Sequence, residues 1–138
     1  MHRINEQIAA IGIVPVIKLT NPERDAVPLA KALCAGGVAV AEVTFRAEGA
    51  ERAIRLMKEA CPEILVGAGT VTTTGRIDKT LEAGGQFIVT PGFDPELVAY
   101  AKEKGVPIYP GCTTPTDYHA ALKFGLEVIK FFPAEQSG

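Results

Sequence analysis

A single lysine, Lys130, stands inside the apolar run Glu127-Val128-Ile129-Lys130-Phe131-Phe132-Pro133-Ala134. The run reads as a buried strand carrying an amine. Desolvation disfavours an ammonium ion. A lysine so placed is therefore paired with a carboxylate, carried to water on its flexible stem, or held as a neutral amine able to attack a ketone. A second apolar run, residues 38–45, is also interrupted by one charge, Glu42. Alternation along a strand puts Val128, Lys130 and Phe132 on one face, and Val38, Val40, Glu42 and Thr44 on one face of theirs. If both faces line one interior, an acid/base beside a nucleophilic amine is the minimum kit for imine chemistry. The alternative is a buried Glu42–Lys130 ion pair that serves structure only. Arg46 continues the Glu42 parity, about 13 Å further along if the chain stays extended, where it either clamps a substrate carboxylate or is solvated. Lys18 is a rival amine, without the Phe-Phe-Pro setting of Lys130.

Six apolar runs, starting near residues 13, 38, 63, 87, 106 and 127, recur every 19 to 25 residues with helical patterns between them. Alternation of that kind is a βα repeat. Strands are expected over 13–18, 38–45, 64–66, 87–90, 106–109 and the Lys130 run, with Pro15 marking the first as an edge or a tolerant position. Helices are expected over 5–10, from Asn21-Pro22 to Gly36-Gly37, over 49–61 and 73–83, from Asp94-Pro95 to Gly105, and from Thr114-Pro115 to before Gly125. Pro110-Gly111-Cys112 reads as a turn. Right-handed crossovers between parallel strands give a doubly wound sheet or a (β/α)8 barrel. Glu42, Thr70, Thr90 and Lys130, all at or near C-terminal strand ends, favour the barrel, whose sites draw on several strands at once. The expected fold is thus α/β, of (β/α)8 TIM-barrel type with only the first six parallel strands present. It is a single domain over 1–138, C-terminally truncated, with two open sheet edges and no helix after the sixth strand.

A chain of 138 residues that is 47% hydrophobic and 22% charged has enough apolar material for one core. Its formal net charge of -2 supplies no cationic field for nucleic acid. No apolar run reaches membrane-spanning length and the N-terminus lacks a signal-peptide core, so the expected setting is cytoplasmic, with no membrane partner. Cys34, Cys61 and Cys112 are odd in number and lack C-x-x-C spacing, which argues against a disulfide framework and a zinc site, and for reduced, mostly buried thiols. His2 is terminal and His119 falls in a helical stretch; neither suggests a metal ligand. Gly67-Ala68-Gly69-Thr70 matches neither the Rossmann nor the P-loop spacing and says only that the backbone approaches something closely. No metal or cofactor is expected.

Four motifs, Glu42-Val43-Thr44-Phe45-Arg46, Gly67-Ala68-Gly69-Thr70-Val71, Thr90-Pro91-Gly92 and Lys130-Phe131-Phe132-Pro133-Ala134, occur in this order and spacing. Together they resemble the 2-keto-3-deoxy-6-phosphogluconate aldolase family, from the first strand to Gly138. The resemblance implies a class I aldolase on a (β/α)8 barrel, usually trimeric, that uses no metal. Lys130 matches the Schiff-base lysine that attacks the C2 ketone, and Glu42 the general acid/base. Arg46 and Thr70 match positions that bind the carboxylate end of a small 2-keto acid, and Pro91, Gly92 and Phe132 match pocket walls. The implied products are pyruvate and glyceraldehyde 3-phosphate, as in the Entner–Doudoroff pathway; relatives also cleave 4-hydroxy-2-oxoglutarate. Members of the family continue through two more strands whose loops hold the substrate phosphate, and the residues of those loops are absent from this chain. Two other readings stand beside the aldolase: a non-catalytic barrel remnant or binding fragment, and a barrel that binds a sugar phosphate without covalent chemistry.

Overall fold

Alternating side chains in β2 (Val40–Thr44) go to two different places, and this division organises the molecule. Ala41 and Val43 join an outer apolar cluster, whereas Val40 joins a separate inner one with Ile4, Leu65, Phe87, Val89 and Tyr109. The computed structural model describes residues 2–138. Its strands are β1 (Val16–Ile17), β2, β3 (Leu65–Gly69), β4 (Ile88–Thr90), β5 (Ile108–Cys112) and β6 (Lys130–Phe131). They pair in chain order, all parallel, in one curled sheet. This is six of the eight strands of a (β/α)8 barrel, as the βα repeat implies.

Helix α1 (Arg3–Ile11) precedes β1, and α2 (Pro22–Ala35), α3 (Ala50–Ala60), α4 (Thr74–Glu82), α5 (Pro95–Lys104) and α6 (Pro115–Lys123) separate the strands. The outer cluster seats Ala26, Ala30, Ala53, Ile54, Met57, Ile77, Val98 and Ala101 of α2 to α5 against the outward residues of the sheet. Ile54 and Met57 are fully buried, and each contributes about 1.5–3 kcal/mol by leaving water. α1 closes the inner side instead: its Ile4, Ile8 and Ile11 pack on the inner cluster.

Helix ends fall where their capping residues put them. Asn21 accepts from Arg24 N–H at 3.2 Å, Asp94 from Glu96 N–H at 2.9 Å, and Thr114 with Asp117 forms a reciprocal capping box. Gly105, at φ 72, ends α5. Pro28 lies inside α2 without ending it.

Three expectations are corrected. β5 runs through Pro110-Gly111-Cys112, which had read as a turn, because β4 and β6 pair with it there. β6 is short and half exposed rather than buried: Val128, Phe131 and Phe132 keep 37%, 44% and 41% of their surface. It is paired on one side only, and its composition says what favours burial, not what covers it. The stretch after it is not helix-free, since α7 (Ala134–Ser137) makes one exposed turn. β1 is an edge strand, as Pro15 suggested, and Pro15 still accepts the Glu42 N–H at 2.9 Å.

Candidate active site

Glu42 lies mid-strand in β2 with only 4% of its surface exposed, its backbone level with Val16 of β1 and Gly67 of β3. Its carboxylate occupies space left by a missing side chain: a Cβ on Gly69 would overlap Glu42 Oε1. Gly67 plays the same part for the Phe87 ring. The Gly67-Ala68-Gly69 stretch is therefore strand, not phosphate loop, and what its backbone approaches is the acid and the floor beneath it.

Lys130 opens β6, paired with Gly111 of β5. Its Nζ lies 4.0 Å from Glu42 Oε1 and 4.5 Å from the centroid of the Phe132 ring, so a carboxylate and an aromatic face both attend the amine. The side chain keeps 28% of its surface. Burial pushes the Glu42 carboxyl above the ordinary value of 4.5, against the opposing pull of the Lys130 and Arg46 charges. A carboxyl held up in this way keeps its proton more readily than an exposed one, which suits a group that has to return a proton as well as take one.

Glu42 and Lys130 share a cavity of about 240 Å³ with Asn5, Ile8, Val14, Phe87, Val89, Tyr109, Val128 and Ile129. That is roughly eight water volumes at about 30 Å³ each, room for a three-carbon keto acid bound to the amine. The walls are mostly apolar. Tyr109 donates its hydroxyl to Asn5 Oδ1, and burial pushes its phenol up to about 12, which keeps it neutral.

Of the other candidates, Phe132 is at the amine. Pro91 and Gly92 are exposed, but the Pro91 carbonyl lies where a Cβ of Gly111 would be, so their turn crosses β5 beside the residue that pairs with Lys130. They also line a second cavity of about 210 Å³ with Val71, Thr72, Thr90 and Phe93. Arg46 is exposed in the turn after β2: the chain does not stay extended past Thr44, so the reach of about 13 Å expected for a continued strand is not realised. Its charge is nonetheless felt at Glu42. Thr70 follows Gly69 at φ 54, a left-handed conformation that is costly for a β-branched residue. Its carbonyl accepts from Arg76, whose guanidinium also binds Thr72 Oγ1 and sits 5.2 Å from the Phe45 ring centroid. Among the described residues, no hydrogen bond or ion pair joins Thr70 to Glu42 or Lys130. Lys18 is exposed and lies outside the cavity lining.

Several site residues were missed from sequence. Phe87, Val89 and Tyr109 share the inward parity of their strands, and that signal was available. Asn5 belongs to a separate helix, and nothing local pointed it inward.

The model of the KDPG and KHG aldolases matches residues 4–138. The chain belongs to the KDPG and KHG aldolase family. It is 46% identical over 138 residues to the 2-dehydro-3-deoxy-phosphogluconate aldolase of Treponema pallidum, covering 100% of this chain and 65% of that protein. Among solved structures it resembles the 2-keto-3-deoxy-6-phosphogluconate aldolase of Zymomonas mobilis ZM4 with 3-phosphoglycerate, at a TM-score of 0.88 and 39% identity, over 96% of this chain and 65% of that one. It also resembles the KDPG aldolase of Legionella pneumophila with pyruvate captured at low pH as a covalent carbinolamine intermediate, at a TM-score of 0.85 and 39% identity, over 91% and 60%. The chain thus spans less than two thirds of the length of these relatives. In this aldolase-family chain all six strands fall inside the matched region, and so do Glu42 and Lys130.

Proposed function

We propose that this chain carries the imine-forming centre of a class I aldolase acting on 2-keto-3-deoxy-6-phosphogluconate, with 4-hydroxy-2-oxoglutarate as a second substrate. The observation that carries the reading is the Glu42–Lys130 pair, 4.0 Å apart in a mostly apolar cavity, with the carboxyl raised by burial. A relative holding pyruvate as a covalent carbinolamine supports the same chemistry.

The amine must be neutral to attack, and in this reading Glu42 takes its proton. The Lys130 nitrogen adds to the C2 carbonyl carbon of the keto acid to give a carbinolamine. Glu42 returns the proton to the C2 hydroxyl, which leaves as water, and a protonated imine remains. The Glu42 carboxylate then removes the proton of the C4 hydroxyl. The C3–C4 bond breaks, an aldehyde leaves, and the electron pair moves through C3 to the imine nitrogen as an enamine. Protonation of C3 and hydrolysis release pyruvate and restore the lysine. The aldehyde is glyceraldehyde 3-phosphate from the first substrate and glyoxylate from the second. Arg46 and Thr70 hold the carboxylate end, and Pro91, Gly92 and Phe132 wall the pocket. A homotrimer in the cytoplasm goes with this reading, and among the described residues no helix is long and apolar enough to cross a membrane.

Borohydride added together with pyruvate should fix a pyruvyl adduct on Lys130, read by intact-mass and peptide mass spectrometry, and Lys130→Ala should abolish it. Absence of an adduct on the unaltered protein sinks the mechanism. An adduct that survives in Lys130→Ala moves it to another amine, such as Lys18.

A further inference from the structure

Helices α2 and α3 pack side by side outside the sheet and bring together two thiols that lie far apart in sequence. Cys34 Sγ, Cys61 Sγ and a carboxylate oxygen of Glu63 lie within 4.8 Å of one another. Cys34 is in the last turn of α2 and half buried, Cys61 caps α3 and is buried, and Glu63 is exposed two residues further on. The turn bearing Cys61 and Glu63 is fixed from several sides. Cys61 N–H donates to Met57 O at 3.0 Å and Ile64 N–H donates to Cys61 O at 3.0 Å. The Lys58 ammonium donates to Pro62 O at 2.9 Å and Ile64 O at 2.6 Å, the carbonyls on either side of Glu63. Two donors are thereby presented to the third on a rigid frame, which the absence of a C-x-x-C spacing concealed.

We propose that Cys34, Cys61 and Glu63 bind one thiophilic divalent cation of the zinc class, with water as the fourth ligand. Two sulfurs and a carboxylate oxygen are a donor set that tetrahedral Zn²⁺ accepts. Zinc–sulfur bonds of about 2.3 Å set tetrahedral sulfur donors about 3.8 Å apart, so the cluster has to close by at most about 1 Å. Side-chain rotation of the half-buried Cys34 and the exposed Glu63 supplies that movement. The charges also balance: two thiolates and one carboxylate are matched by the divalent ion and the neighbouring Lys58 ammonium. Binding replaces the thiol protons, which pass to the buffer, with metal–sulfur bonds, and no electron transfer is involved. The site lies on the outer side of the sheet with Cys61 in the outer cluster, so it ties α2 to the α3–β3 turn and is independent of the Glu42–Lys130 cavity.

Calorimetric titration of the reduced, metal-free protein with Zn²⁺, repeated in buffers of different ionisation enthalpy, should show one equivalent bound with release of both thiol protons. Co²⁺ used as a probe should develop sulfur-to-metal charge-transfer bands and the visible spectrum of a tetrahedral ion. Cys34→Ser and Cys61→Ser should each weaken binding at least tenfold, and Glu63→Gln should weaken it less. Cys112→Ser, at a buried thiol on β5, should leave it unchanged. If Cys61→Ser does not fold, Cys34→Ser and Glu63→Gln, at less buried positions, carry the test. No saturable uptake, uptake unchanged in those two variants, or a Cys34–Cys61 disulfide that persists under reductant and blocks the metal overturns the proposal.

Discussion

Gly69→Ala tests how the acid is seated. Gly69 does not adopt a positive φ, so alanine suits its backbone and the effect of the substitution comes from what the new methyl group meets. That is Glu42: besides overlapping Oε1, the Cβ would come within 2.8 Å of Cδ and 2.9 Å of Cγ. Glu42 is 4% exposed and cannot simply swing into water. Overpacking of this kind costs about 1–3 kcal/mol, offset by about 0.4–1 kcal/mol from a less flexible unfolded chain, for a net loss of about 1–2 kcal/mol. In a Glu42→Ala background the collision is gone, and the same substitution should be neutral or slightly stabilising. The cycle of four proteins should therefore show a coupling of about 1–3 kcal/mol in urea unfolding. Displacing the carboxylate from Lys130 should also slow exchange of the pyruvate methyl protons, followed by NMR, by about 10²-fold or more, the usual worth of a positioned acid/base. Equal destabilisation with and without Glu42, or an undiminished exchange rate, refutes the account of the seat.

The raised Glu42 carboxyl has a signed consequence for stability. The folded state holds this proton more tightly than the unfolded one, so its contribution is present below the ordinary value of 4.5 and is lost as pH rises through the higher folded value. Glu42→Gln should accordingly raise the unfolding midpoint at pH 7 relative to the unaltered protein, with the difference shrinking toward pH 4, while pyruvate exchange slows; a difference that grows on acidification would be the wrong sign. Thr70→Gly should leave stability unchanged or raise it by up to about 1 kcal/mol, because glycine adopts φ 54 without the Cβ penalty. If Thr70 holds the keto acid, the same variant should need more pyruvate for half-maximal borohydride trapping. A loss of stability without any change in trapping would make Thr70 a purely structural residue.

What could be read from the chain alone was what local chemistry dictates. Asn21, Asp94, Thr114 and Gly105 mark helix ends because capping satisfies backbone groups within a few residues, and each end falls where its cap places it. The inward parity of Glu42 and Lys130 was equally legible, since alternation is a property of the extended chain, and the two side chains meet at 4.0 Å. The extent of β5 was not legible. Pro110-Gly111 has the composition of a turn, and only the pairing partners on both sides, Thr90 and Lys130, hold it in the sheet. Nor was the exposure of β6, where an apolar run pairs with one neighbouring strand and its phenylalanines stay partly in solvent. The meeting of Cys34 with Cys61 depends on the packing of α2 against α3, which spacing along the chain does not encode.

The inward-facing glycines show how the strands make room for chemistry. Gly67, Gly69 and Gly111 occupy inward positions, and at each a Cβ would strike something specific: the Phe87 ring, the Glu42 carboxylate and the Pro91 carbonyl. Glycine weakens a strand and leaves it less to pack, so three of them facing one interior carry a cost that the outward face does not bear. In exchange, the Phe87 ring lines the cavity, the Glu42 carboxylate lies over Gly69 and 4.0 Å from the amine, and the Pro91-Gly92 turn lies across β5 beside the residue that pairs with Lys130. A glycine in a strand is thus a statement about its neighbour across the sheet. From sequence alone the alternation Gly67-x-Gly69 says that something large lies against the strand; only the folded chain shows that the carboxylate of Glu42, whose backbone is level with Gly67, lies over Gly69.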